Sequence, residues 1–167
     1  NEGLLVGPFG VLGSFSPIST AANRGAASTI QELAKYGGDA NCGLYVLGGV
    51  AVENSPLYYS STKGHTMATR VLLESGALPN KGWSVLKGFI ASATPLYFAA
   101  KHGHTNTVKS LLEAGADIHV GLQVGPSGLL GVQSPLEVAL SNKRHKAASL
   151  LREVGSAKLK SPQGPEL

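Results

Sequence analysis

The chain has 167 residues, enough for one ordinary domain or one short repeat array. It is 43% hydrophobic and only 14% charged, against roughly 25% charged in typical soluble domains, which argues against disorder over most of its length. A single cysteine, Cys42, excludes an internal disulfide framework and a Cys-rich zinc site, and no apolar run approaches the ~20 residues of a membrane helix.

The net charge is +4 and is uneven: residues 1–136 hold eight Lys/Arg and seven Asp/Glu, residues 137–167 six and three. A Ser/Thr-Pro pair then sets a frame along the chain. It occurs at Ser16-Pro17, Ser55-Pro56, Thr94-Pro95 and Ser134-Pro135, the prolines spaced 39, 39 and 40 residues apart. Eight residues after each proline come Gly25, Gly64, Gly103 and then Lys143; twenty after come Gly37, Gly76, Gly115 and Gly155. Before each proline lies Gly3, Gly43, Gly82 or Gly121. The chain is four copies of one unit plus a tail, with repeats at about 1–41, 42–80, 81–119 and 120–160, and 161–167 as a mobile tail.

Within each unit the first predicted element is a Gly-rich extended segment. The four read GLLVGPFGVLGSFS, GLYVLGGVAVENS, GWSVLKGFIASAT and GLQVGPSGLLGVQS, with Glu53 and Lys87 as their only charges. The first and last carry Gly-Pro-x-Gly, which suits a tight turn at the tip. Next comes a short helix, since Ser or Thr caps a helix N-terminus and Pro is favoured at its first position. In the third unit it runs from Pro95 to about Lys101, and Gly103 stops it. A second helix comes next in HTNTVKSLLEAG, where Val108, Leu111 and Leu112 make one apolar stripe. The matching stripes are Ile30, Leu33, Ala34 in the first unit and Thr69, Leu72, Leu73 in the second. Gly115 closes this helix. In the fourth unit Arg152 replaces a stripe leucine and Lys143-Arg144 replaces Gly-His, as expected of a polar terminal cap.

TPLYFAAKHGHTNTVKSLLEAGADIH and SPLYYSSTKGHTMATRVLLESGALPN resemble the ankyrin repeat, with its T-P-L-H-x-A-A, G-H and L-L-x-x-G-A-D pattern. SPISTAANRGAASTIQELAKYGGDAN is a weaker copy and SPLEVALSNKRHKAASLLREVGSAK a degenerate one. The resemblance implies a mainly α solenoid of helix-turn-helix units, the extended segments being projecting β-hairpin fingers. Two departures stand out. The family's His after T-P-L is replaced by Ser19, Tyr58, Tyr97 and Glu137, which puts the bonding between units in question. The units are also longer than the usual ~33 residues, and the extra length falls in the fingers.

The resemblance further implies a non-catalytic scaffold or adaptor that binds one or more proteins, within a stable complex. Two surfaces are expected to carry that contact. The apolar fingers offer Phe9, Phe15, Leu44, Tyr45, Trp83, Phe89 and Leu122, of which Tyr45 and Trp83 lead because aromatics dominate interface hot spots. The ordinary counter-reading is that the hairpins pack side by side into a sheet with one face against the helices. The exposed ends of the first helices offer Arg24, Lys63, Lys101, His102 and Asn142. Alternatives are a regulatory segment of a larger enzyme, or binding of RNA or lipid headgroups by the basic last unit. Nucleic acid is not the expected partner; a membrane protein is compatible.

No catalytic motif is found. There is no G-x4-G-K-[ST] loop, no H-E-x-x-H and no G-x-S-x-G. Gly125–Gly131 is a finger tip by its likeness to the stretch from Gly7, not a phosphate loop. Gly103-His104 repeats Gly64-His65, a structural turn rather than a metal pair. No cofactor or metal is expected. An intracellular location is expected, first the cytoplasm; because the chain starts at Asn1 rather than Met, a processed organellar protein such as a plastid one is also compatible.

Overall fold

A computed structural model describes residues 3–6, 12–47 and 50–160. Its helices come in pairs: α1 Pro17–Arg24 with α2 Ala27–Lys35, α3 Pro56–Lys63 with α4 Thr66–Glu74, α5 Pro95–His102 with α6 Thr105–Glu113, and α7 Pro135–Ser141 with α8 His145–Lys160. Each inner helix, α1, α3, α5 and α7, begins as its sequence dictates. Ser16, Ser55, Thr94 and Ser134 are N-caps whose hydroxyls accept from the backbone N–H three residues on, and proline follows each. The first three inner helices end on glycines in the left-handed conformation, Gly25 (φ 72°), Gly64 (φ 72°) and Gly103 (φ 78°). Lys143 holds the same place in the fourth unit and takes φ 57° despite its side chain.

The outer helices α2, α4 and α6 stop just before Gly37, Gly76 and Gly115, all at positive φ. The fourth unit differs from the frame here: α8 continues through Gly155 to Lys160. Residues 156–160, SAKLK, are mostly strong helix formers, and one interior glycine costs only about 1 kcal/mol.

The hairpins are β1 Gly3–Val6 with β2 Leu12–Phe15, β3 Leu44–Leu47 with β4 Val50–Asn54, β5 Trp83–Val85 with β6 Ala91–Ala93, and β7 Leu122–Val124 with β8 Gly131–Gln133. They do not stand apart. All eight strands join in one antiparallel sheet in chain order, β1 to β8. Pairings between hairpins include Gly13 with Tyr45, Glu53 with Ser84, and Ser92 with Gln123. The base of each hairpin explains its fixed glycine. A Cβ on Gly43, Gly82 or Gly121 would collide with the carbonyl oxygen of Asn54, Ala93 or Gln133 respectively, so no side chain fits.

The core lies between the two helix layers. Ile18, Leu57 and Leu96 line the inner helices, and Ile30, Leu72, Val108, Leu111 and Leu151 the outer ones, all buried. Full burial of each such side chain contributes about 1.5–3 kcal/mol. In the second unit two buried hydroxyls replace an apolar pair: Thr69 donates to Ser60 (3.0 Å), which donates to the Leu57 carbonyl (3.2 Å). The corresponding residues of the third unit are Val108 and Ala99.

The missing histidines do not leave the units unlinked. The cap hydroxyls take over: Ser55 Oγ donates to the Lys81 carbonyl (2.6 Å) and Thr94 Oγ1 to that of Val120 (2.9 Å). In the first unit the link is relayed, Ser16 Oγ to Ser19 Oγ (3.0 Å) and Ser19 Oγ to the Cys42 carbonyl (3.1 Å). Tyr97 adds a bond from its hydroxyl to Gln133 Oε1 at 2.9 Å. Two asparagines in register complete the set. Asn41 accepts from Leu78 N–H and donates to the Gly76 carbonyl, while Asn80 accepts from Asp117 N–H.

Candidate functional site

Among the described residues, seven of the eleven exposed large hydrophobic side chains lie in the last two fingers. Each tip is a single 3-10 turn, Leu86–Gly88 in the third finger and Pro126–Gly128 in the fourth. The fourth places glycines at its positive-φ positions, Gly125 (φ 80°) and Gly128 (φ 78°). The third has none there, and Leu86 (φ 50°) and Lys87 (φ 54°) adopt the left-handed region instead. Such positions cost energy for residues with a Cβ.

The residues after the two turns are equivalent. Phe89 N–H donates to the Leu86 carbonyl and Leu129 N–H to that of Pro126; Ile90 and Leu130 N–H then donate to Val85 and Val124 carbonyls. Gly125 N–H donates to the Ile90 carbonyl at 2.7 Å, fastening one tip to the other. Phe89 is 64% exposed, Leu129 82% and Leu130 75%; Ile90 and Val132 are exposed as well. The two joined tips thus gather five exposed apolar side chains, the kind of surface that marks an interaction site.

The sequence-expected finger residues fall in different places. Phe89 is in the patch. Trp83 and Leu122, at the finger bases, are half-buried and pack against the helical core. Phe9 lies outside the described residues. Phe15, Leu44 and Tyr45 are described in backbone only, as members of β2 and β3. The patch also contains residues the sequence reading passed over, Ile90, Leu129, Leu130 and Val132. The signal that could have found them is position: each follows a tip turn.

Beside the fingers, the inner helices carry an interlocked row of aromatics. Tyr58 and Phe98 meet edge to face at 4.8 Å across two units, with Tyr59 and Tyr97 stacked in the same manner at either end. Burial pushes the Tyr58 and Tyr97 phenols above their ordinary value. Farther along, Arg24, Lys63, His102 and Asn142 occupy one register position at the helix ends, all exposed, and Lys101 is half-exposed beside them. Arg24, Lys63, Lys101 and His102 sit in the last turns of their helices, where a positive charge offsets the negative end of the helix dipole. Partial burial holds the His102 imidazole below the usual histidine range, helped by the charges of His104, Lys101 and Arg144.

Among the described residues no three His, Cys, Asp or Glu side chains converge as metal ligands. The rings of His102 and His104 are 5.9 Å apart, but His104 is committed elsewhere. Its Nε2 donates to the Thr62 carbonyl at 3.1 Å and its ring lies against Gly64.

Stacked helix-turn-helix units, with hairpins projecting from one side, define a repeat solenoid. The family model for ankyrin repeats, in three copies, matches residues 18–121. The chain belongs to the ankyrin-repeat family, whose members are in general protein–protein interaction modules and typically non-catalytic. Among solved structures, the human ASB11 ankyrin repeat domain superposes with a TM-score of 0.64 at 26% identity, over 84% of this chain and 54% of that one. The chain thus spans about half the length of that neighbour. No curated protein sequence matches it. Among the described residues, no helix is long and apolar enough to cross a membrane.

Proposed function

We propose that this chain is a non-catalytic ankyrin-repeat scaffold, one array over residues 1–160, that docks a protein partner through its third and fourth fingertips as a subunit of a larger assembly. The observation that carries this reading is the pair Phe89 and Leu129, equivalent residues on adjoining tips, 64% and 82% exposed. A folded chain gains nothing from an aromatic ring and a leucine in water at the end of a projecting hairpin. A partner that covers them gains the burial of both, and such central apolar anchors dominate interface energies. The low charge of the fingers favours a lasting complex over a transient one, since obligate interfaces are the more hydrophobic.

The test is purification of the native protein with its bound neighbours, compared with the double variant Phe89→Ser/Leu129→Ser. The expected result is loss of the co-purifying partner at unchanged thermal stability, because neither side chain belongs to the core. Retention of the same partner by the double variant rules the fingertips out. Trp83→Ala is a poor probe, since Trp83 packs against the core and its loss mixes folding with binding.

A further inference from the structure

The four turns that join inner to outer helices stack into a ridge. Adjacent turns touch: His104 bonds the Thr62 carbonyl, Arg144 Nε donates to the Lys101 carbonyl at 3.3 Å, and Thr66 and Thr107 hydroxyls meet at 3.0 Å. The ridge lies one inner-helix length, about 12 Å, from the finger bases. It carries Arg24, Lys63, Lys101, Lys143, Arg144 and Lys146, six of the chain's fourteen Lys and Arg. It carries no Asp or Glu. The acids of the outer helices, Glu32, Glu74, Glu113 and Glu153, stand more than one turn along, toward the other edge.

Helix-end electrostatics accounts for only part of this. One cation per inner helix offsets the negative end of its dipole. The same physics favours an acidic residue in the first turn of each outer helix, and none of α2, α4, α6 or α8 has one. Lys146 stands in the first turn of α8, where a positive charge is disfavoured. Inner helix α7 has no basic residue in its last turn, yet Lys143, Arg144 and Lys146 follow it. Lys143 also sits at φ 57°, where the three other units use glycine. Four outer helices forgo a favourable acid, and one turn keeps a lysine in a glycine's place.

We propose that this ridge is a second docking surface, separate from the fingertips, that takes an extended acidic segment of a protein. Charge complementarity sets the sign of the partner. Neighbouring helices pack about 8–10 Å apart and an extended chain rises about 3.3 Å per residue, so one acid at every third position meets one unit after another. About ten residues span the four units. The turns hold no Phe, Tyr or Trp on which nucleic-acid bases would stack, which separates this surface from a single-strand platform. The proposal does not depend on the fingertip reading.

The experiment uses the whole chain and a fluorescent peptide of four Glu-Ser-Gly repeats. Its controls are a peptide of the same composition with the glutamates contiguous, a U-rich RNA of equal charge, and vesicles of phosphatidylserine and phosphatidylcholine. The spaced peptide is expected to bind best, and Lys63→Glu/Lys146→Glu to weaken it about tenfold with thermal unfolding unchanged. Lys143→Gly should weaken binding while raising Tm by about 2–4 °C, since it relieves the left-handed lysine. Phe89→Ser/Leu129→Ser should bind as the wild type does. Equal affinity for the contiguous peptide, tighter binding of RNA or vesicles, or wild-type affinity in Lys63→Glu/Lys146→Glu each overturns the proposal.

Discussion

His104 Nε2 donates a hydrogen bond of 3.1 Å to the carbonyl oxygen of Thr62, one unit back in the array. Arg144 repeats the relationship in the next unit, its Nε donating to the Lys101 carbonyl. His104, two residues beyond α5, and Arg144, three beyond α7, thus each reach back to the carbonyl end of the preceding inner helix. The reach works because the preceding turn has no Cβ. A Cβ on Gly64 would lie 2.5 Å from His104 Nδ1, and one on Gly103 2.8 Å from Arg144 Cδ.

Gly64→Ala therefore suffers twice, from its positive φ and from the imidazole. It should destabilise the chain by about 2–4 kcal/mol in chemical denaturation. His104→Ala should cost about 1 kcal/mol through the lost bond. The double variant should cost less than the two added together, because removing the ring frees the space the new methyl needs. Additive costs would show that the ring and the glycine do not share that space.

Ser61 is fully buried and its hydroxyl has no hydrogen-bond partner. Its equivalents in the first and third units are Ala22 and Ala100, both also fully buried. Ser61→Ala removes an unsatisfied polar atom without opening a large cavity and improves helix propensity. It should stabilise the chain by about 1 kcal/mol. Ser60→Ala, one residue earlier, should do the opposite, because Ser60 is the acceptor for Thr69.

Ser134 and Glu137 form a reciprocal cap on α7. Ser134 N–H donates to Glu137 Oε2 at 2.7 Å, and Glu137 N–H to Ser134 Oγ at 3.2 Å. The Ser134 backbone bond, then its side chain, hold the Glu137 carboxyl below the usual carboxylate range. A depressed carboxyl stabilises the fold above its unfolded value and loses that contribution as pH falls through the folded one. Wild type should thus exceed Glu137→Gln in stability near neutral pH, and the gap should close on acidification. Urea unfolding of both proteins over a pH series measures it. A gap that is the same at every pH would assign the effect to packing rather than to the charge.

The helical frame was readable in the sequence because each of its signals has a local cause. A capping hydroxyl, a proline and a stop glycine act within a few residues, and Ser55, Pro56 and Gly64 do in three dimensions what their order implies. Gly155 holds the frame position of Gly115, yet α8 runs through it to Lys160. A glycine ends a helix only when the next residues favour leaving it, and SAKLK does not. The links between units were less legible. The substitution of the family histidine was visible, but its replacement by a cap hydroxyl donating across to Lys81 or Val120 depends on the stacking itself. The fingertip patch was half legible. Hydrophobicity along a hairpin does not say which residues lie over the helices, so Trp83 and Phe89 read alike in sequence, though one packs on the core and the other projects beyond it.

The joined hairpins alter how the array should come apart. In a solenoid held by helix stacking alone, each unit is coupled to its neighbour through one layer, and the ends can fray unit by unit. Here a second layer of backbone pairing, such as Ser92 with Gln123, runs across every boundary. To peel off the last unit, the chain must open a strand ladder and a helix interface together. Nearest-neighbour coupling is raised relative to the intrinsic stability of each unit, so unfolding should approach a single all-or-none step. The fingers, in turn, answer a load at one tip as a plate rather than as four separate levers.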